Sequence, residues 1–135
     1  MHKVVMIIDD DDDDRELFAD ALKEIGQPVR CLSAMGGQEG LILLKNNDEL
    51  LPDLIFLDLN MPCLSGKQCL AEIKKIPRLA AIPVIIYSTT KRMEDVEETK
   101  KLGAAYFLTK PTLFGDICIA IKRLLNTKWG SNTPY

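Results

Sequence analysis

Three stretches of this 135-residue chain are short and almost unbrokenly apolar: "KVVMII" at 3–8, "DLIFLD" at 53–58 and "IPVIIYS" at 82–88. A strand with one wet face alternates apolar and polar residues. A run rich in Val and Ile on both parities marks a parallel strand buried on both faces. Two further segments, "PVRCLS" at 28–33 and "AYFLT" at 105–109, also read as strands. Parallel neighbours need a crossover, usually a helix. Helical spacing occupies the gaps: Leu17, Phe18, Ala21, Leu22 and Ile25, then Leu41 and Leu44, then Leu70 and Ile73, and last Leu113, Ile117, Ile121, Leu124 and Leu125. The stretch "RMEDVEETKKL" at 92–102 has only Met93, Val96 and Leu102 as apolar anchors, which predicts a lightly packed helix. Strand and helix alternate five times, so the expected fold is α/β, a central parallel sheet with five helices on its faces.

The length suits one domain. We expect it at residues 1–127, followed by a short polar tail at 128–135. Hydrophobic residues make up 47% of the chain and charged ones 27%, enough apolar material for a real core. The net charge of −3 argues against a nucleic-acid surface, which needs excess Lys and Arg. No apolar run has the length of a membrane span, and the first residues lack a cleavable leader pattern, so the expected compartment is the cytoplasm. The four cysteines form no CxxC pair and His2 is the single histidine, which argues against structural zinc. The cysteines are expected to be reduced and packed as small hydrophobes. The lysine pairs 74/75 and 100/101 are expected to be solvated.

Open parallel sheets carry their functional groups beyond the carboxyl ends of the strands. Those ends offer Asp9 and Asp10, then Asp58 in "FLDLNMP", Ser88 in "YSTT" and Lys110 in "LTKP". Clustered carboxylates repel and take up protons unless a cation is present. A hard divalent ion such as Mg²⁺ prefers such oxygen ligands. Ion, ammonium and hydroxyl together suit a phosphoryl group, and a carboxylate can be the nucleophile that receives it. Asp9 and Asp10 also open a run of six aspartates, residues 9–14. A long acidic run is usually solvated and disordered. Here it joins a strand to a helix, so it divides: Asp9 and Asp10 to the site, Asp11 or Asp12 to the helix N-cap, Asp13 and Asp14 to the first turn.

With an acidic pair after the first strand, "LDLNMP" after the third, Ser88 after the fourth and "KP" after the fifth, the chain from about Lys3 to Leu125 resembles the response-regulator receiver domain, the CheY-like module of two-component signalling. The resemblance implies a flavodoxin-like sheet of order 2-1-3-4-5. It implies that Asp58 is the phosphoacceptor and that Asp10 ligates Mg²⁺, or Mn²⁺ in its place, while Asp9 assists. The Asn60 backbone carbonyl completes the metal's protein ligands. Ser88 and Lys110 meet the phosphoryl group, and the Lys110–Pro111 bond is expected to be cis. Phe107 stands at the switch-aromatic position. Thr89 replaces a residue that is often Ala or Gly, and Thr90 and Asn60 flank the path of attacking water, where they would set the dephosphorylation rate. The implied partners are a sensor histidine kinase or a histidine phosphotransfer protein, and a downstream protein on the surface of the fourth helix, fifth strand and fifth helix. No output segment follows the last helix, which implies a stand-alone regulator rather than an enzyme, with only self-catalysed phosphorylation and dephosphorylation. Two other readings compete: a receiver-like module that is never phosphorylated, and a haloacid-dehalogenase-like phosphatase using Asp9 and Asp11. The second needs an acidic pair after its lysine, and only Asp116 follows Lys110.

Overall fold

In the computed structural model, which describes residues 3–46 and 51–130, five parallel strands run in the order β2-β1-β3-β4-β5. They are β1 (Lys3–Ile8), β2 (Val29–Ala34), β3 (Leu54–Leu57), β4 (Val84–Ser88) and β5 (Tyr106–Thr109). The helices are α1 (Asp12–Ile25), α2 (Gly37–Asn46), α3 (Gly66–Lys75), α4 (Pro77–Ala80), α5 (Met93–Lys101) and α6 (Phe114–Leu125). There are thus six helices among the described residues, one more than expected. The addition is α4, a single turn with proline at its first position, where the fixed φ suits a helix start. It tucks Leu79 completely into the core.

The sheet separates two apolar layers. Met6, Ile8, Ile55, Leu57, Val84 and Ile86 face α2, α3 and α4 through Leu41, Leu44, Leu70, Ile73 and Leu79. Val5, Ile7, Phe56, Ile85 and Tyr87 face α1 and α6 through Phe18, Leu22, Ile117, Ile121 and Leu125. Successive side chains point to opposite faces, so a strand buried on both sides must be apolar at every position. Strands β1, β3 and β4 meet that demand except at Lys3, which is exposed, and at Ser88, the last residue of β4. Three rings anchor the second layer: Phe18 lies edge-on to Phe56 at 4.8 Å and to Tyr87 at 6.0 Å. Helix α5 buries little beyond Thr99, as its sparse apolar pattern predicts.

The aspartate run divides as its neighbours require. Asp11 has extended backbone, φ −88° and ψ 116°, and its carboxylate accepts from the Asp14 N–H at 3.1 Å, which makes it the N-cap of α1. Asp12, Asp13 and Asp14 fill the first turn, where negative charge suits the helix dipole. The helix stops at Gly26, whose φ of 75° favours glycine.

Two expectations about surface residues change. Lys74 is not simply solvated: its ammonium donates to the carbonyls of Ala80 and Ile82 at 2.9 and 3.0 Å, satisfying acceptors left over at the end of α4. Of the free cysteines, Cys69 is buried and Cys31 and Cys118 are half-buried, but Cys63 is exposed. It sits in the loop after β3 with φ 66°. His2 and the last five residues of the expected tail lie outside the described residues. Trp129 closes the bottom of the sheet, edge-on to Tyr106 and donating to the Leu124 carbonyl at 3.2 Å.

Helix α3 begins in a capping box: Ser65 accepts from the Gln68 N–H, and Gln68 accepts from the Ser65 N–H. This start lies hard against β3. A Cβ on Gly66 would overlap the Asp58 carbonyl oxygen and come within 2.6 Å of the Leu59 Cα. Both obstacles are backbone and neither can swing aside. We therefore expect Gly66→Ala to lower stability by about 1–3 kcal/mol in a urea melt, through overpacking, and to displace the Asp58 backbone.

Candidate functional site

The hydrogen-bond ladders continue one residue past the strands, and that aligns the site. The Asp9 N–H donates to the Ala34 carbonyl at 3.1 Å, the Asp58 N–H to Ile8 at 3.0 Å, and the Lys110 N–H to Ser88 at 2.8 Å. Asp9, Asp58, Ser88 and Lys110 are thereby held at one rim of the sheet. Carboxylate oxygens of Asp9, Asp10 and Asp58 all lie within 4.8 Å of one another. Asp9 is fully buried and Asp58 nearly so, while Asp10 is exposed. Two unit charges at that separation interact by about 3 kcal/mol at an effective dielectric of about 20, so the cluster favours a bound cation or a retained proton. All three are hard oxygen donors, the set that Mg²⁺ or Mn²⁺ takes.

Lys110 supplies one cation from the protein. Its side chain is 9% exposed, and its Nζ lies 2.8 Å from Asp9, 2.7 Å from Asp14 and 3.8 Å from Asp58. Burial opposes its charge, but hydrogen bonds to Asp14 and Asp9 outweigh burial and hold its pKa above the ordinary lysine value. Asp58 is pushed up to about 6: burial is the main cause and the Asp9 charge adds to it, against the pull of Lys110. Burial also raises Asp9, although Lys110 and the Asp11 N–H both stabilise its carboxylate. The Arg15 guanidinium braces this corner, donating to the Asp9 carbonyl at 2.7 Å and pairing with Asp12.

Ser88 is completely buried, and its Oγ has no hydrogen-bond partner. Such an orphan costs stability, and here it stands at the rim where an incoming oxygen would satisfy it. Ser88 registers with Thr109 and Ile86 with Phe107, so the pleat puts all four on one face of the sheet. Phe107 is half-buried against the α2–α4 layer, whereas Tyr106 packs on the opposite side. Thr89 and Asn60 are exposed. The Thr90 hydroxyl is engaged elsewhere: it donates to Asp95 at 3.0 Å and accepts from the Arg92 N–H at 3.2 Å, which ties the loop to the start of α5.

The expected cis bond is not found. No peptide bond among the described residues is cis, so Lys110–Pro111 is trans. Trans is the lower-energy isomer of an X–Pro bond by about 0.5–1 kcal/mol, and Lys110 is already aimed by its carboxylate partners and its backbone bond to Ser88. From the sequence, Asp14 belongs only to the first helical turn. Nothing in a run of identical residues signals that one of them reaches a lysine 96 positions away.

A doubly wound five-stranded sheet with an acidic cluster, a buried hydroxyl and a lysine at its carboxyl rim is a phosphoryl-signalling architecture. The sequence profile of the response regulator receiver domain matches residues 5–122, and the chain belongs to that family of two-component signalling proteins. It is 31% identical over 119 residues to Response regulator Rcp1 of Synechocystis, a match covering 85% of this chain and 81% of that protein. It is 33% identical over 107 residues to Protein PilH of Pseudomonas aeruginosa, covering 79% and 84%. It is also 33% identical over 124 residues to Sensor histidine kinase CheAY of Helicobacter pylori, which covers 89% of this chain but 15% of that much longer protein. Among solved structures, the phosphorylated cyanobacterial phytochrome response regulator RcpA aligns with a TM-score of 0.84 at 30% identity, covering 92% of this chain and 91% of that one. The Mn²⁺-bound form of Rcp1 aligns with a TM-score of 0.84 at 28% identity, covering 98% and 99%.

The raised Asp58 pKa has a consequence for stability. Between the unfolded carboxyl value near 3.8 and about 6, the folded protein holds a proton that the unfolded chain has released. The contribution of Asp58 to the stability of the metal-free protein should therefore be fully present below that window and be lost as pH rises through it. Melting temperatures across pH 4.5 to 7.5 in a metal chelator should show the fall, and Asp58→Asn should reduce it.

Proposed function

We propose that Asp58 accepts a phosphoryl group from a phosphohistidine on a sensor kinase or a histidine phosphotransfer protein. The observation that carries this reading is the packing of Asp9, Asp10 and Asp58 within 4.8 Å beside the Lys110 ammonium. Asp10 and Asp58, with the Asn60 carbonyl, would hold Mg²⁺, and Asp9 would support it. The ion supplies positive charge for the phosphoryl oxygens. An Asp58 carboxylate oxygen attacks phosphorus, a P–O bond forms, and the P–N bond breaks with its electron pair leaving on the imidazole. Asp58 must be ionised to attack, and a cation beside it favours that form. Lys110 pairs with the phosphoryl oxygens, and the orphaned Ser88 hydroxyl turns to donate to one of them.

Phosphorylation then shifts a two-state equilibrium. Moving Ser88 changes the space above Phe107, which shares its face of the sheet. Helix α5, tied to this loop through Thr90 and Asp95, is anchored lightly enough to follow. The surface of α5, β5 and α6 is thus the face on which a downstream protein would read the change. Its exposed Met93, Leu113 and Ile119 are suited to such contacts.

Incubating the protein with Mg²⁺ and acetyl phosphate should add one phosphoryl group, seen by intact mass. The addition should vanish in Asp58→Asn and without the metal. No addition to the wild type, or an undiminished one in Asp58→Asn, would overturn the assignment. For the water path, Thr90→Ala and Asn60→Ala should each alter the phosphoryl lifetime at constant Mg²⁺. An unchanged lifetime in both would remove these residues from rate control.

A further inference from the structure

The Lys110 ammonium has three N–H donors. Asp9 and Asp14 take two of them, at 2.8 and 2.7 Å, and Asp58 at 3.8 Å lies beyond hydrogen-bond reach. The Tyr87 ring is a further neighbour, its centroid 5.5 Å away. The groups around the ammonium therefore come from the ends of β1 and β3, from β4 and from the first turn of α1. They differ in one respect. Asp9 and Asp58 belong to the acidic cluster with Asp10, and Asp14 does not. When Asp9 and Asp58 turn to a divalent ion, Asp14 is the carboxylate that Lys110 can keep.

We propose that Asp14 is a positioning residue for Lys110, a carboxylate outside the acidic cluster that keeps hold of the ammonium so that it can release the cluster's carboxylates when a divalent ion enters. This rests on the receiver reading of the site given above. Without the Asp14 charge, the ammonium, already bonded to Asp9, has only Asp9 and Asp58 left as carboxylate partners, and both belong to the cluster the ion enters. A nearly buried ammonium has few other places to send its protons. Once a phosphoryl group stands on Asp58, its oxygens outcompete a single carboxylate and draw the ammonium across.

The aspartate run contains its own control. Asp13 precedes Asp14 in the same helical turn, bears the same charge and is exposed. Mg²⁺ affinity is measured on the full chain by isothermal titration calorimetry, so the readout is metal binding rather than phosphorylation. Asp14→Asn should raise Kd by about tenfold or more, the scale of outer-sphere partners in metal sites. Asp13→Asn should change it by no more than about twofold, since an exposed charge is screened by salt. Asp14→Glu, which keeps the charge, should recover most of the loss. In a Lys110→Ala background the effect of Asp14→Asn should shrink to that of Asp13→Asn. Equal effects of the two aspartates in the wild-type background would overturn the proposal, as would an Asp14→Asn effect that persists undiminished without Lys110. Failure of the wild type itself to bind Mg²⁺ would overturn the site assignment and this inference together; the other outcomes bear on Asp14 alone.

Discussion

Everything at the functional rim depends on the parallel hydrogen-bond ladder running one residue beyond its strands. The backbone bonds of Asp9 to Ala34, Asp58 to Ile8 and Lys110 to Ser88 set three charged residues side by side before any side chain acts. Helix α3 reinforces this from behind, because its Gly66 leaves no room between the helix start and the Asp58 backbone. The rim is rigid because its supports are backbone atoms and buried apolar side chains.

That rigidity stores an electrostatic imbalance. Carboxylates drawn from two strand ends are buried near one another, and burial lifts the Asp58 pKa to about 6. Lys110 offsets part of the charge, and its ammonium is shared among carboxylates rather than committed to Asp58. The buried Ser88 hydroxyl adds a second unmet need, a donor with no acceptor. A divalent ion and a phosphoryl group together answer both. A site that is unsatisfied at rest is well suited to a switch, because ligand and modification supply what the fold leaves out.

Much of this was legible in the chain. Burial on both faces forces apolar residues onto nearly every position of a central strand, so β1, β3 and β4 declare themselves, and the polar residues at their carboxyl ends are then site candidates. Phe107 was reachable only through the resemblance to receiver domains, and the pairing of β4 with β5 then places it, rather than Tyr106, on the hydroxyl's side. Features that depend on local competition were harder to read. The turn of α4 is too short to show a period. Lys74 looks like an ordinary solvated lysine until the carbonyls beside it are seen. The Lys110–Pro111 bond was expected to be cis by resemblance, yet it is trans, the lower-energy isomer of an X–Pro bond.

The aspartate run shows most clearly where the sequence stops. By itself the chain indicated that the run divides, with its first aspartates following a strand and its later ones starting a helix, because an apolar strand pattern precedes it and a helical one follows. It also determined that carboxylates, a hydroxyl and a lysine meet at one rim. Only the tertiary structure decided that Asp11 is the cap and that Asp14 reaches Lys110 while Asp13 does not. The reason is angular. Successive helical residues point about 100° apart, so two identical neighbours in one turn face different surroundings, and the difference exists only once α1 has docked against the sheet.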